Sequence, residues 1–184
     1  MNLANKLTLS RAILGIIIAI LIYFQNFYAY LAATILFVFS VWTDHYDGIL
    51  ARKIKKVTTF GKFIDPISDK ILIIATLSAL AEIGLIPVWV VFVVFIREIM
   101  MMGLRSLAAA EGKILGANNF GKSKGVVQYS AISAALALLT LNEYGISVPK
   151  VEQIVYGLVL VTTAVIVLTA LIVFHKNRKF FGNS

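Results

Sequence analysis

At 184 residues, with 60% hydrophobic composition and a mean hydropathy of +0.91, the chain is too apolar for an ordinary soluble domain, which runs at about 45–50%. Its 17 Lys and Arg exceed its 9 Asp and Glu by 17 − 9 = +8, an excess that in so apolar a chain points to anionic lipid headgroups and not to nucleic acid. Cysteine is absent, which excludes disulfides and thiolate metal sites.

Apolar runs long enough to cross about 30 Å of hydrocarbon are predicted at residues 8–25, 28–50, 62–84, 87–108, 123–142 and 152–174. The first follows Lys6 and Arg11 and has no small-residue cleavage site after it, so it reads as a retained span and not a signal peptide. Phe and Tyr around residues 23–30 suit an interfacial aromatic belt. The second run is wholly apolar only to Trp42, which leaves Asp44 and Asp47 near one membrane face. Breaks fall at Gln25-Asn26, from Arg52 to Gly61, from Gly84 to Pro87, from Glu111 to Lys122 and from Asn142 to Lys150. Pro87 and Pro149 suit helix starts, where a missing N–H costs nothing. The expected fold is an all-α integral membrane bundle of six transmembrane helices, one domain over residues 1–184.

The cationic residues orient it. With six spans, every Lys and Arg except Lys150 falls at or near the side of the N-terminus. By the positive-inside rule both termini face the cytosol, with the chain in the cell membrane as a multi-pass protein. Lys55 and Lys56 are expected at lipid headgroups.

All four aspartates lie between residues 44 and 69. A carboxylate at a bilayer centre costs about 2.5–3.5 kcal/mol on insertion scales, so four together call for a counter-charge. On a helix, Asp44, Asp47, Gly48 and Ala51 form one stripe at i, i+3, i+4 and i+7. Gly61, Asp65 and Asp69 form another at i, i+4 and i+8. Pro66 is tolerable only if the third helix starts near residue 62. Two antiparallel neighbouring helices would bring the stripes face to face as a four-carboxylate cage. All-oxygen ligation suits Mg²⁺, Mn²⁺ or Ca²⁺, and such ions bridge phosphate oxygens. The competing reading pairs these aspartates with Arg52 and the loop lysines as solvated helix ends.

The spacing Asp44-x2-Asp47-Gly48-x2-Ala51-Arg52-x8-Gly61-x3-Asp65-x3-Asp69 matches every fixed position of the CDP-alcohol phosphatidyltransferase signature, and the chain resembles that family. The resemblance implies a six-helix membrane enzyme, usually a homodimer, that displaces CMP from a CDP-lipid with an alcohol. It implies Asp44, Asp47 and Asp65 as ligands of one or two Mg²⁺ or Mn²⁺ ions, with Asp69 a further ligand and the general base. Asp47, Gly48, Ala51, Arg52 and Gly61 are implied at the CDP-lipid.

Further stretches are similar to the bacterial branch of the family that makes phosphatidylglycerophosphate from CDP-diacylglycerol and sn-glycerol 3-phosphate. They are Asn2-x2-Asn5-x-Leu7-Thr8-x2-Arg11, Asp65-Pro66-x2-Ser68-Asp69-Lys70, Arg97-Glu98-Ile99 with Arg105, and Gly121-Lys122-x-Lys124. Asn5 and Thr8 join the implied CDP-lipid contacts. Arg97 and Arg105 share a helix face two turns apart, and with Lys122 and Lys124 they form a set able to hold an acceptor phosphate. For Arg97 the plainer reading is a pair with Glu98, disfavoured because adjacent helix residues do not face each other. Alternatives are another acceptor such as inositol 1-phosphate, an archaeal ether-lipid donor or, from another class, a divalent-cation transporter. A transporter's aspartates should lie at mid-membrane.

Gly116-x4-Gly121-Lys122-Ser123 satisfies a P-loop pattern, but that motif needs a preceding strand. His45 and His175 read as packing or interface residues. Glu82, Glu143 and Glu152 fall toward the side opposite the aspartates.

Overall fold

The computed structural model describes residues 3–54, 59–110 and 119–177, with side chains described over 10–43, 67–109 and 125–177. These residues form α1 (Leu3–Tyr23), α2 (Phe27–Ile54), α3 (Thr59–Glu82), α4 (Val88–Ala110), α5 (Asn119–Glu143) and α6 (Val151–Lys176). No strand occurs among the described residues. Each expected span therefore contains a helix, and most helices overrun the apolar run into its polar flank. The third helix departs from expectation at its start. It begins at Thr59, which puts Pro66 beyond the first turn, where proline removes a helical hydrogen bond and frees the carbonyl four residues back.

The turns explain the breaks. Asn26 accepts a hydrogen bond from the Ala29 backbone N–H through Oδ1 at 3.0 Å, a side-chain cap on the first turn of α2. Gly84 sits at φ 79 after α3, and Leu85 N–H reaches back to the Leu80 carbonyl at 3.0 Å. Gly145 at φ 98 ends α5 the same way, with Ile146 N–H on the Leu141 carbonyl at 3.2 Å. Both are left-handed C-terminal caps that glycine adopts without a Cβ penalty.

Packing closes the helices into a ring in the order α1, α2, α5, α6, α4, α3 and back to α1. Side-chain contacts give the directions. Thr34 early in α2 meets Thr140 late in α5, oxygen to oxygen at 3.0 Å, and the rings of Phe27 and Tyr144 lie 5.2 Å apart, so α2 and α5 are antiparallel. Arg11 and Gly15 of α1 meet Asp69 and Leu72 of α3 in the same sense, so α1 and α3 are parallel. The starts of α1 and α3 thus share one end of the bundle.

Ile18, Ile22, Phe37, Leu72, Leu80 and Leu136 are fully or almost fully buried and join in one core. The outside is equally apolar: Ile16, Ile35, Phe92, Val161, Leu168 and Ile172 are all exposed. Helices that are hydrophobic all round belong where something apolar covers them. Gly125–Glu143 and Val151–Lys176 are long and apolar enough to cross a membrane, and Ser10–Tyr23 and Phe27–Thr43 are shorter apolar helical segments. An all-helical chain of this make-up is compatible with a membrane protein, since helices satisfy their backbone groups internally. Of the expected aromatic belt, Tyr23, Phe24 and Tyr28 are exposed, but Tyr30 is buried in the core.

Candidate active site

The signature runs from the last turns of α2 to the first turns of α3. Residues 44, 47, 48, 51 and 52 fall on unbroken helix within Phe27–Ile54, and residues 61, 65 and 69 within Thr59–Glu82. Each set therefore has the helical register that puts its aspartates on one face. The side chains of Asp44, Asp47, Asp65, Ala51 and Arg52 lie outside the described residues, as do those of Asn5 and Thr8 in α1. The face-to-face cage accordingly lies outside them too. Among the described residues α3 packs principally on α1, while α2 packs about equally on α1 and α5, so α1 forms a wall beside both.

Asp69 shows what that wall does. Arg11 on α1 donates from Nη1 to Asp69 Oδ1 at 2.6 Å, with the guanidinium side chain 4% and the carboxylate 29% exposed. A charge-assisted bond of this length is at the strong end of the range. An arginine this buried cannot lose its proton and so needs an anion. Close contact one turn along holds the geometry: a Cβ on Gly15 would lie 2.9 Å from Leu72 Cα, so only glycine lets α1 approach α3 this closely. Sequence reasoning placed Arg11 only inside a pattern. The signal available was a lone arginine ahead of an uninterrupted apolar run, which in a membrane helix demands a named counter-ion.

A second set of charges adjoins the first. Lys70 Nζ lies 3.2 Å from Glu98 Oε2, while Glu98 Oε1 accepts from Arg97 Nη1. Arg97 also donates from Nε to the Ile166 carbonyl at 3.2 Å, tying α4 to α6. The Arg97–Glu98 pair therefore forms, against the expectation that neighbours on a helix face apart. A long guanidinium side chain and a glutamate curl toward each other where the interior offers few other partners. Arg97 and Glu98 are buried. Arg105, two turns further along α4, is exposed. Lys122 and Lys124 lie in the first turns of α5, and their side chains fall outside the described residues.

Residues 1–174 match the family described as CDP-alcohol phosphatidyltransferase. The chain belongs to that family. A Bacillus subtilis (strain 168) protein named CDP-diacylglycerol–glycerol-3-phosphate 3-phosphatidyltransferase is 41% identical over 147 residues, spanning 73% of this chain and 76% of its own. One of the same name from Rickettsia bellii (strain RML369-C) is 28% identical over 183 residues, 98% of this chain and 97% of its own. A chloroplastic/mitochondrial relative in Arabidopsis thaliana is 36% identical over 152 residues, 74% of this chain, and the match spans 51% of its length.

For a CDP-alcohol phosphatidyltransferase, the rest of the molecule is in keeping. Glu82, Glu143 and Glu152 lie at the end of α3, the end of α5 and the start of α6, the end of the bundle opposite Arg11 and Asp69. His175 is exposed in the last turn of α6, and His45 lies in α2 with its side chain outside the described residues. Of the P-loop pattern, Gly116 falls outside the described residues. Gly121, Lys122 and Ser123 are helical within α5, and a helix does not form the loop of N–H groups that cradles phosphate. No group of three or more potential metal-ligating side chains occurs among the described residues, because Asp69 is the only signature aspartate whose side chain is among them.

Proposed function

We propose that this chain transfers the phosphatidyl group of CDP-diacylglycerol to sn-glycerol 3-phosphate, giving phosphatidylglycerophosphate and CMP. The observation that carries the reaction class is the complete aspartate signature on the helical ends of α2 and α3, with Asp69 fixed by Arg11. The names of the relatives above support glycerol 3-phosphate as acceptor. The reading includes six membrane spans with both termini and the signature at the cytosolic face, in the cell membrane, and a homodimer. The positions of the cationic residues support that orientation.

The donor set fits a hard divalent cation. Four carboxylates supply only oxygen, and Asp69 remains part-exposed while Arg11 anchors one of its oxygens. Asp44, Asp47, Asp65 and Asp69 would hold Mg²⁺ or Mn²⁺, which when bound neutralises the diphosphate and the leaving CMP.

The chain's own residues do the remaining work. Gly48, Ala51 and Gly61 leave room for the nucleotide beside the carboxylates, with Asn5, Thr8 and Arg52 at its polar edge. Asp69 accepts the proton from the acceptor hydroxyl as that oxygen attacks the lipid-side phosphorus and the bond to CMP breaks. Arg11 keeps the carboxylate aimed until the proton arrives. Arg97, Arg105, Lys122 and Lys124 are the candidate contacts for the acceptor's phosphate. Phosphoryl-type transfer needs mainly positioning and charge stabilisation, and in this reading the carboxylates and cations named here supply both.

The test is direct. Purified protein in detergent with CDP-diacylglycerol and Mg²⁺ or Mn²⁺ is offered glycerol 3-phosphate, inositol 1-phosphate or serine in parallel, and CMP release is measured. Fastest release with glycerol 3-phosphate is expected. Faster release with either other acceptor overturns the assignment, and metal flux into sealed vesicles without any CDP-lipid would favour a transporter.

A further inference from the structure

Glu98 divides its carboxylate between two cations on different helices. Oε1 accepts from Arg97 Nη1 on its own helix and Oε2 lies 3.2 Å from Lys70 Nζ on α3. The side chains of Arg97, Glu98 and Lys70 are 5%, 10% and 21% exposed. Arg97 is anchored again by Nε on the Ile166 carbonyl of α6 at 3.2 Å. We infer that Glu98 is a positioning residue for an anionic acceptor: it fixes Arg97 and Lys70 together as a preset pair of cations for a phosphate dianion. This rests on the acceptor reading above.

Three features support the inference. The first is orientation. A guanidinium has five N–H donors, and two of Arg97's are spent on fixed protein acceptors. The group is thereby held in orientation before any ligand arrives, so little side-chain entropy remains to be lost when phosphate binds. The second is charge. Lys70, Glu98 and Arg97 sum to +1 −1 +1 = +1, so a carboxylate placed only to neutralise Arg97 would have no need of Lys70. A surplus positive charge in a largely buried cluster is costly unless an anion arrives. The third is location. Lys70 follows Asp69 directly on α3, so the same contact that seats the lysine links the acceptor's phosphate to the helix carrying the base.

Glu98→Gln keeps the shape and removes the charge. The expected result is a KM for glycerol 3-phosphate raised about tenfold, the scale of one charge-assisted hydrogen bond, with kcat and the KM for CDP-diacylglycerol changed less than about twofold. Glu98→Asp, which keeps the charge on a shorter arm, should recover part of the loss. Lys70→Met should give the same split in kinetic constants. Should Glu98→Gln fail to fold, parent protein and Lys70→Met decide the matter by inhibition with inorganic phosphate. Phosphate should compete with glycerol 3-phosphate and not with CDP-diacylglycerol, and Lys70→Met should weaken that inhibition severalfold. A fall in kcat with unchanged KM, a lowered KM, or phosphate inhibition indifferent to Lys70 overturns the inference. Parent protein run alongside separates the two readings. If the parent releases no CMP with glycerol 3-phosphate, the acceptor assignment fails; if it does while Glu98→Gln leaves KM unmoved, only the role of Glu98 fails.

Discussion

Gly15 is where α1 comes closest to α3, and adding one methyl group there tests the site as much as the packing. An ideal Cβ on Gly15 would stand 2.9 Å from Leu72 Cα, 3.2 Å from Leu72 N and 3.4 Å from the Ile71 carbonyl oxygen. All three are backbone atoms, so no rotamer change relieves the contact. Regaining an ordinary separation of about 3.5–4.0 Å means moving the helices apart by roughly 0.6–1.1 Å at this point. Such overpacking costs about 1–3 kcal/mol. Arg11 lies one turn away on the same face, where its bond to Asp69 is 2.6 Å long. A shift of that size carries the bond to about 3.2 Å or beyond, the outer edge of a good hydrogen bond. Gly15→Ala should therefore lose about 1–3 kcal/mol in reversible unfolding in detergent and at least tenfold in CMP release at temperatures where it is still folded. Gly15→Val should lose more of both. A Gly15→Ala protein with the parent's stability and turnover would refute the close approach and its coupling to Asp69.

Four further outcomes follow from the same contacts. Arg11→Gln leaves Asp69 without its guanidinium partner and should cost up to about 3–5 kcal/mol, read by thermal unfolding; Arg11→Lys, which keeps the charge without the planar fork, should fall between it and the parent. Asp69→Asn should abolish CMP release while CDP-lipid binding, measured by calorimetry, is partly kept; near-normal turnover would remove Asp69 from the role of base. Because that change also removes the carboxylate charge beside the buried Arg11, its stability needs measuring in parallel. Thr34→Val should cost about 0.6 kcal/mol, the average for polar contacts between membrane helices, since Thr140 keeps its bond to the Leu136 carbonyl at 2.8 Å. EDTA should stop CMP release and added Mg²⁺ or Mn²⁺ restore it, as expected if the carboxylates act only around a bound cation.

The helices were legible because their punctuation is chemical and local. Asn26 caps, Gly84 and Gly145 take positive φ, and each acts within a few residues of its own position. The apolar runs between them had only to be long. The start of α3 differs from expectation for a related reason. Proline is best tolerated in a first turn, which suggests a start near residue 62, whereas α3 begins at Thr59 and continues through Pro66. The ring order was not legible. It depends on which faces interlock, and a helix that is apolar all round carries no periodicity to show its inner side. Gly15 was equally silent, since nothing local distinguishes a glycine that admits a neighbouring backbone from one that merely breaks an apolar run.

The site divides along the same line. Register along one helix can be counted, so the two aspartate stripes could be placed; contacts between helices distant in sequence could not. Arg11 and Asp69 are 58 residues apart, and Lys70 meets Glu98 only because α3 and α4 pack side by side. These contacts change the meaning of the cationic excess. The loop lysines read as headgroup contacts, whereas Arg11 and Arg97 are buried, each tied to a carboxylate. Arg11 pairs with Asp69, and Lys70, next to Asp69 in sequence, shares Glu98 with Arg97, so the five charges alternate in sign along α1, α3 and α4. An alternating chain offsets most of its own desolvation and ends in a cation at each side. Asp69, the proposed base, thus stands inside a fixed electrostatic frame before any substrate arrives, and preorganisation of that kind is where a reaction limited by positioning gains most.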